Sequence, residues 1–158
     1  MNGPARCAGI LAWLGLLAVG CAPKGELRRF DIEVTNRASI PVTIGLVKLD
    51  GPVEIDWESP EDRALMDPKN TGIGWGQALP PGRTASISVQ GRFFEQTRGF
   101  LRVYAGDLPL SEILAISRGS RNRLDILLKD GTTQVTILND GPFLDFTITG
   151  YTPPPPPR

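Results

Sequence analysis

Four carboxylates, Asp56, Glu58, Glu61 and Asp62, fall within seven positions of one another, and two thiols, Cys7 and Cys21, stand near the amino terminus. Paired carboxylates are the machinery of glycoside hydrolysis, and clustered acids are ligands that calcium prefers. The local sequence argues for a plainer role. Ser59-Pro60-Glu61-Asp62 reads as a helix start, with a capping serine, a proline suited to the first turn and two acids at the positive end of the helix dipole. The spacing matches no EF-hand loop. Between Asp50 and Asp67 seven acids face only Arg63, which is expected of a solvated or partner-facing acidic edge. Histidine is missing from the whole chain, which removes the commonest general base and metal ligand and closes Ser–His–Asp and Cys–His mechanisms. The expectation is a protein that is not an enzyme, with no cofactor, no metal and no catalytic residue.

Cys21 has a different setting. Arg6 is followed by an apolar run from Ala8 to Val19, then by Gly20-Cys21. Twelve residues of helix rise about 18 Å, well short of the roughly 30 Å hydrocarbon core, so the run suits a signal-peptide core better than a membrane span. The ending Leu17-Ala18-Val19-Gly20-Cys21 resembles the lipobox of bacterial lipoprotein precursors. The resemblance covers the first 21 residues and implies an address and an anchor, not an activity. It implies cleavage between Gly20 and Cys21, a diacylglycerol on the Cys21 sulfur, and acylation of the new amino group by a fatty chain such as palmitate. Leu17 stands one position further upstream than in the commonest pattern, and an ordinary secretory signal with a nearby cut is the alternative. Ala22 after the cysteine favours the periplasmic face of the outer membrane over the inner membrane.

Such processing leaves a mature chain from Cys21 to Arg158, long enough for one domain with a real core. Cys7 leaves with the signal and Cys21 carries lipid, so no thiol remains for a disulfide or a zinc site. Without Arg6 there are 16 basic and 17 acidic residues, a balance with no general pull toward nucleic acid. The charges are nevertheless uneven. Between Arg83 and Arg123 seven arginines meet only Glu95, Asp107 and Glu112. An acidic side and a basic side result if these segments lie on different faces; if they mix in space, the charges cancel.

A scaffold of strands must position all of this. Phe30, Ile32 and Val34 alternate with polar residues, as do Val42, Ile44 and Leu46 after Pro41. Val53, Ile55 and Trp57 suggest a third strand, and Ala85, Ile87 and Val89 a further one. Phe100 to Ala105 is strand-like, whereas Leu110 to Ser117 fits helix or strand. Leu124, Ile126 and Leu128, then Asp130-Gly131, then Val135 and Ile137, predict a hairpin. Leu144, Phe146 and Ile148 make the last strand. Seven to nine short strands with one short helix point to an all-β fold, an antiparallel β-sandwich of immunoglobulin-like or transthyretin-like topology; a small barrel is the alternative.

The organisation read from the sequence is a signal peptide over 1–20, a lipidated tether over 21–26, the sandwich over 27–151 and a proline-rich tail over 152–158. The tail is either a stiff solvated extension or a docking peptide. Trp75, between Gly74 and Gly76, is the candidate partner contact; it serves as an exposed anchor or folds back to plug the end of the sandwich. The function expected is that of a non-catalytic lipoprotein held to the membrane by its N-terminal lipid, whose sandwich binds an envelope protein. A carbohydrate- or peptidoglycan-binding module is the alternative class, with Trp75 and Tyr151 as aromatic platforms. A narrower version rests on Asn36 near the end of the first strand, Pro41-Val42 opening the second, and Leu79-Pro80-Pro81-Gly82 before a later one. In these features the chain looks like the lipoprotein of type VI secretion membrane complexes, a resemblance that implies a small lipidated sandwich within an assembly.

Overall fold

Period-two burial builds both sheets. In β1 (Glu26–Asn36) the side chains of Phe30, Ile32 and Val34 are buried while those of Asp31, Glu33 and Thr35 face outward. A computed structural model describes residues 25–156. The predicted signal peptide, the Gly20–Cys21 junction and the last two residues of the tail lie outside the described residues.

β2 (Val42–Leu49), β3 (Gln77–Leu79), β4 (Thr84–Phe93) and β5 (Arg98–Ala105) come next along the chain. β6 (Arg123–Leu127), β7 (Gly131–Asp140) and β8 (Phe143–Thr152) complete the strands. They form two four-stranded sheets, one in the order β4-β1-β7-β8 and the other β3-β2-β5-β6. The all-β sandwich expected from the sequence is the observed architecture, and its eight strands fall in the expected range. One pairing is parallel: β1 runs alongside β7 with Val34 opposite Val135.

The core lies between the sheets. Phe30, Ile32 and Val34 meet Val42, Ile44, Leu101, Val103, Ile126, Val135 and Ile137 there. Trp57 joins Phe30 and Phe93 in an aromatic cluster with ring centroids 5.2 to 5.4 Å apart, each pair worth about 1 kcal/mol beyond its area. Trp57 does not arrive on a strand. The predicted third strand is a single 3-10 turn, Ile55–Trp57, closed by the Trp57 N–H donating to the Glu54 carbonyl at 2.9 Å. Only the tryptophan of the alternating set is buried, while Val53 and Ile55 are 53% and 85% exposed. The period of two there reports no buried face.

The second correction concerns the hairpin. β6 pairs with β5 in one sheet, and β7 pairs with β1 and β8 in the other. The chain therefore crosses between sheets at Lys129-Asp130. Gly131 is needed for the crossing: its φ is +108°, and a Cβ there would lie 2.3 Å from the Thr152 carbonyl oxygen. The true two-residue hairpin is the next connection, Gly141-Pro142 between β7 and β8. Gly141 at φ +58° supplies the positive φ that a primed turn requires.

Two short helices cover the outside of the β3-β2-β5-β6 sheet, where the sequence predicted one. α1 (Pro60–Met66) starts as its sequence requires, with Asp62 N–H donating to Ser59 Oγ at 3.1 Å and Ser59 N–H to Asp62 Oδ2 at 3.2 Å. α2 (Leu110–Leu114) settles the ambiguous segment as helix. Beneath them a second cluster forms from Val47, Trp75, Tyr104, Leu110 and Ile113. This cover explains why β2 is buried on both faces.

Candidate functional site

Gly20 and Cys21, the predicted cleavage and lipidation residues, lie outside the described residues. The reach of the predicted tether follows from chain geometry alone. β1 begins at Glu26, five positions after Cys21. Five residues reach at most about 18 Å when extended.

Trp75 is not an exposed anchor. It is 3% exposed, its ring lies against Gly45, and its indole N–H donates to the Glu58 carbonyl at 3.2 Å. Tyr104 meets it edge to face with centroids 5.8 Å apart. Gly76, at φ +70° and with no room for a Cβ beside the Ile44 carbonyl, brings the loop against β2, and Gly45 leaves the flat floor on which the indole rests. Of the two aromatic platforms considered for glycan binding, Tyr151 alone is exposed, at 44%, and its hydroxyl donates to the Asp130 carbonyl at 2.7 Å.

The four clustered carboxylates go to separate tasks. Asp62 caps α1, Glu58 pairs with Arg63 at 2.9 Å, and Glu61 reaches Arg102 at 3.4 Å. Asp56 is exposed. Glu54 holds the buried Lys48. Among the described residues no three of His, Cys, Asp and Glu stand close enough to share a metal ion.

The acidic and basic stretches meet where Glu61 reaches Arg102, and the basic stretch also finds a carboxylate beyond its own end, at Asp125. Arg102 Nε donates to Asp125 Oδ1 at 2.6 Å, and Arg123 Nε donates to Asp125 Oδ2 at 3.0 Å. Both arginine side chains are nearly buried, at 4% and 5% exposure. Burial alone would raise the Asp125 pKa, yet the hydrogen bonds from Arg102 and Arg123 prevail and hold it below the ordinary carboxylate range. Burial pushes the Tyr104 hydroxyl up from its usual value. Sequence reasoning missed this network. Its signal was faint: Phe100, Arg102 and Tyr104 share the outward face of β5, and a face carrying two aromatics is one that something covers.

Apolar side chains are left in solvent on that cover. Leu65 and Met66 at the end of α1 are 81% and 58% exposed, Ile73 is 47% and Leu114 of α2 is 37%. The elements that carry them are joined: Leu110 N–H donates to the Ile73 carbonyl at 2.8 Å, and Ile73 N–H to the Asn70 carbonyl at 3.1 Å. Among the described residues no helix is long and apolar enough to cross a membrane.

At the opposite corner Asn36 is fully buried and joins two loops. Its Nδ2 donates to the carbonyls of Ile40 at 3.0 Å and Leu79 at 2.8 Å, while its Oδ1 accepts from Ala38 N–H at 2.9 Å. Gly82 N–H donates to the Asn36 carbonyl at 2.7 Å.

No family model matches the chain, and no curated protein matches it. Among solved structures it is similar to the T6SS lipoprotein TssJ1 from Pseudomonas aeruginosa, with 16% identity and a TM-score of 0.37. That likeness spans 80% of this chain and 100% of the other.

Proposed function

We propose that the chain is a non-catalytic lipoprotein of the bacterial envelope, anchored through Cys21, whose sandwich binds a protein close to the membrane. The carrying observation is the position of Cys21 at the end of an apolar run and only five residues ahead of β1. Several acyl chains at about 0.8 kcal/mol per buried CH₂ make such an attachment stable, and the short tether keeps the domain near the bilayer. The apolar side chains that the helical cover leaves in solvent, Leu65, Met66, Ile73 and Leu114, give a protein partner apolar surface to bury. The periplasmic face of the outer membrane is the favoured location.

The test places a photo-crosslinking side chain at Leu65 and, as a control, at Ser86 on the outer face of β4, in the membrane-attached chain. A discrete protein adduct at Leu65 and none at Ser86 is expected. Retained membrane attachment with no adduct at Leu65 contradicts the partner.

A narrower second reading is an assembly lipoprotein of the type VI secretion kind. The residues behind that resemblance, Asn36 and the Leu79-Pro80-Pro81-Gly82 turn, meet in one hydrogen-bonded corner. Loss of secretion on deletion of the chain is the outcome this reading requires.

A further inference from the structure

Between the start of α1 and the connection from α2 to β6 lies a pocket of about 320 Å³, lined by Arg102, Arg118, Arg123 and Glu61, with Leu49 and Ile116 among its apolar walls. Three guanidinium groups meet two carboxylates here, and neither carboxylate balances the excess. Asp125 already accepts from both Arg102 and Arg123. Glu61 touches Arg102 only at 3.4 Å and is 57% exposed, so water screens it. Arg118 is exposed and makes no hydrogen bond or ion pair among the described residues. The Arg102 and Arg123 side chains are both more than nine-tenths buried, and Asp125 and Glu61 leave one terminal nitrogen of each arginine without a carboxylate partner. The planar guanidinium fork fits an oxyanion in two-point contact.

We propose that this pocket binds a single oxyanion, the carboxylate or phosphate group of a small ligand or of a larger molecule that presents one. Arg102 and Arg123 are fixed donors held in place by Asp125, and Arg118 closes over the anion from the loop. The apolar walls lower the local dielectric and strengthen each contact. The site is independent of the lipid anchor and stands or falls without it.

The experiment titrates the full-length chain in detergent micelles with acetate, inorganic phosphate and, as a neutral control, acetamide, following the arginine Nε–H resonances by NMR. Saturable shifts at Arg102 and Arg123 with acetate or phosphate, and none with acetamide, are expected; which anion binds more tightly separates a carboxylate from a phosphate source. Arg118→Glu is expected to weaken binding at least about tenfold, and Arg118→Gln less. Arg83→Glu, the same charge change in the turn before β4, is expected to leave affinity unchanged, with thermal midpoints of all three variants close to the parent's. Linear, unsaturable shifts, or equal weakening by the Arg83 and Arg118 reversals, overturn the proposal.

Discussion

The side-chain amide of Asn36 donates to the carbonyl oxygen of Leu79 at 2.8 Å, tying together residues 43 positions apart. The same amide group bonds Ile40 and Ala38, so one buried side chain fixes the β1–β2 turn and locks it to the connection between β3 and β4. Both sheets are joined at this corner, because β1 belongs to one and β3 to the other.

Asn36→Ala is therefore expected to cost about 3 kcal/mol, since two carbonyls and one N–H lose their partner in a dry site. Asn36→Asp keeps the shape but, when ionised, places acceptors against two carbonyl oxygens. It should be at least as destabilising at neutral pH and milder in acid. Denaturant unfolding of both variants at pH 7 and pH 4 reads the difference; equal stability of Asn36→Ala and the parent contradicts the assignment.

Trp75 and Gly45 form one packing unit. A Cβ at position 45 would come within 2.3 Å of the indole ring. Gly45→Ala should displace the ring and cost about 2 kcal/mol, and Trp75→Ala about 4 kcal/mol through the cavity left behind. Thermal melts of the single and double variants check this. In the double variant the Gly45→Ala penalty should largely vanish, because the ring it strikes is gone.

Asp125 sets an acid limit on stability. Its folded pKa is held below the unfolded value of about 3.9, so its contribution is fully present above that value and is lost as pH falls through the folded pKa. Asp125→Asn leaves Arg102 and Arg123 unneutralised and should cost about 3 kcal/mol at pH 7. The gap between variant and parent should narrow only below about pH 4. Asp31 is also lowered, by the Ser88 hydroxyl and by Arg29, but it sits in water where such contacts are screened, and Asp31→Asn should be near-neutral. Urea titrations from pH 3 to pH 8 distinguish the two positions.

Much of the fold was legible because local pattern and tertiary role coincide. The Phe30-Ile32-Val34 set reads as a strand and is one. Ser59 with Asp62 reads as a cap and is one. The failures arise where the outcome depends on distant partners: local signals say neither which sheet a strand joins nor which side chains have a core to enter. Asp130-Gly131 marks a change of direction, yet the change carries the chain from one sheet to the other rather than back beside β6. Val53, Ile55 and Trp57 alternate, but only the tryptophan has a core to enter. Trp75 is buried because Gly45, thirty residues earlier on β2, leaves room for it. The Arg102–Asp125–Arg123 network requires β5 and β6 to be neighbours, and no short window of sequence contains that fact.

The anchor is the claim on which the proposed function turns. Mass spectrometry of the protein purified from bacterial membranes tests it most directly. A mature chain beginning at Cys21, with a diacylglycerol on sulfur and an acylated amino group, is the predicted result. An unmodified amino terminus at any position beyond 21 contradicts it.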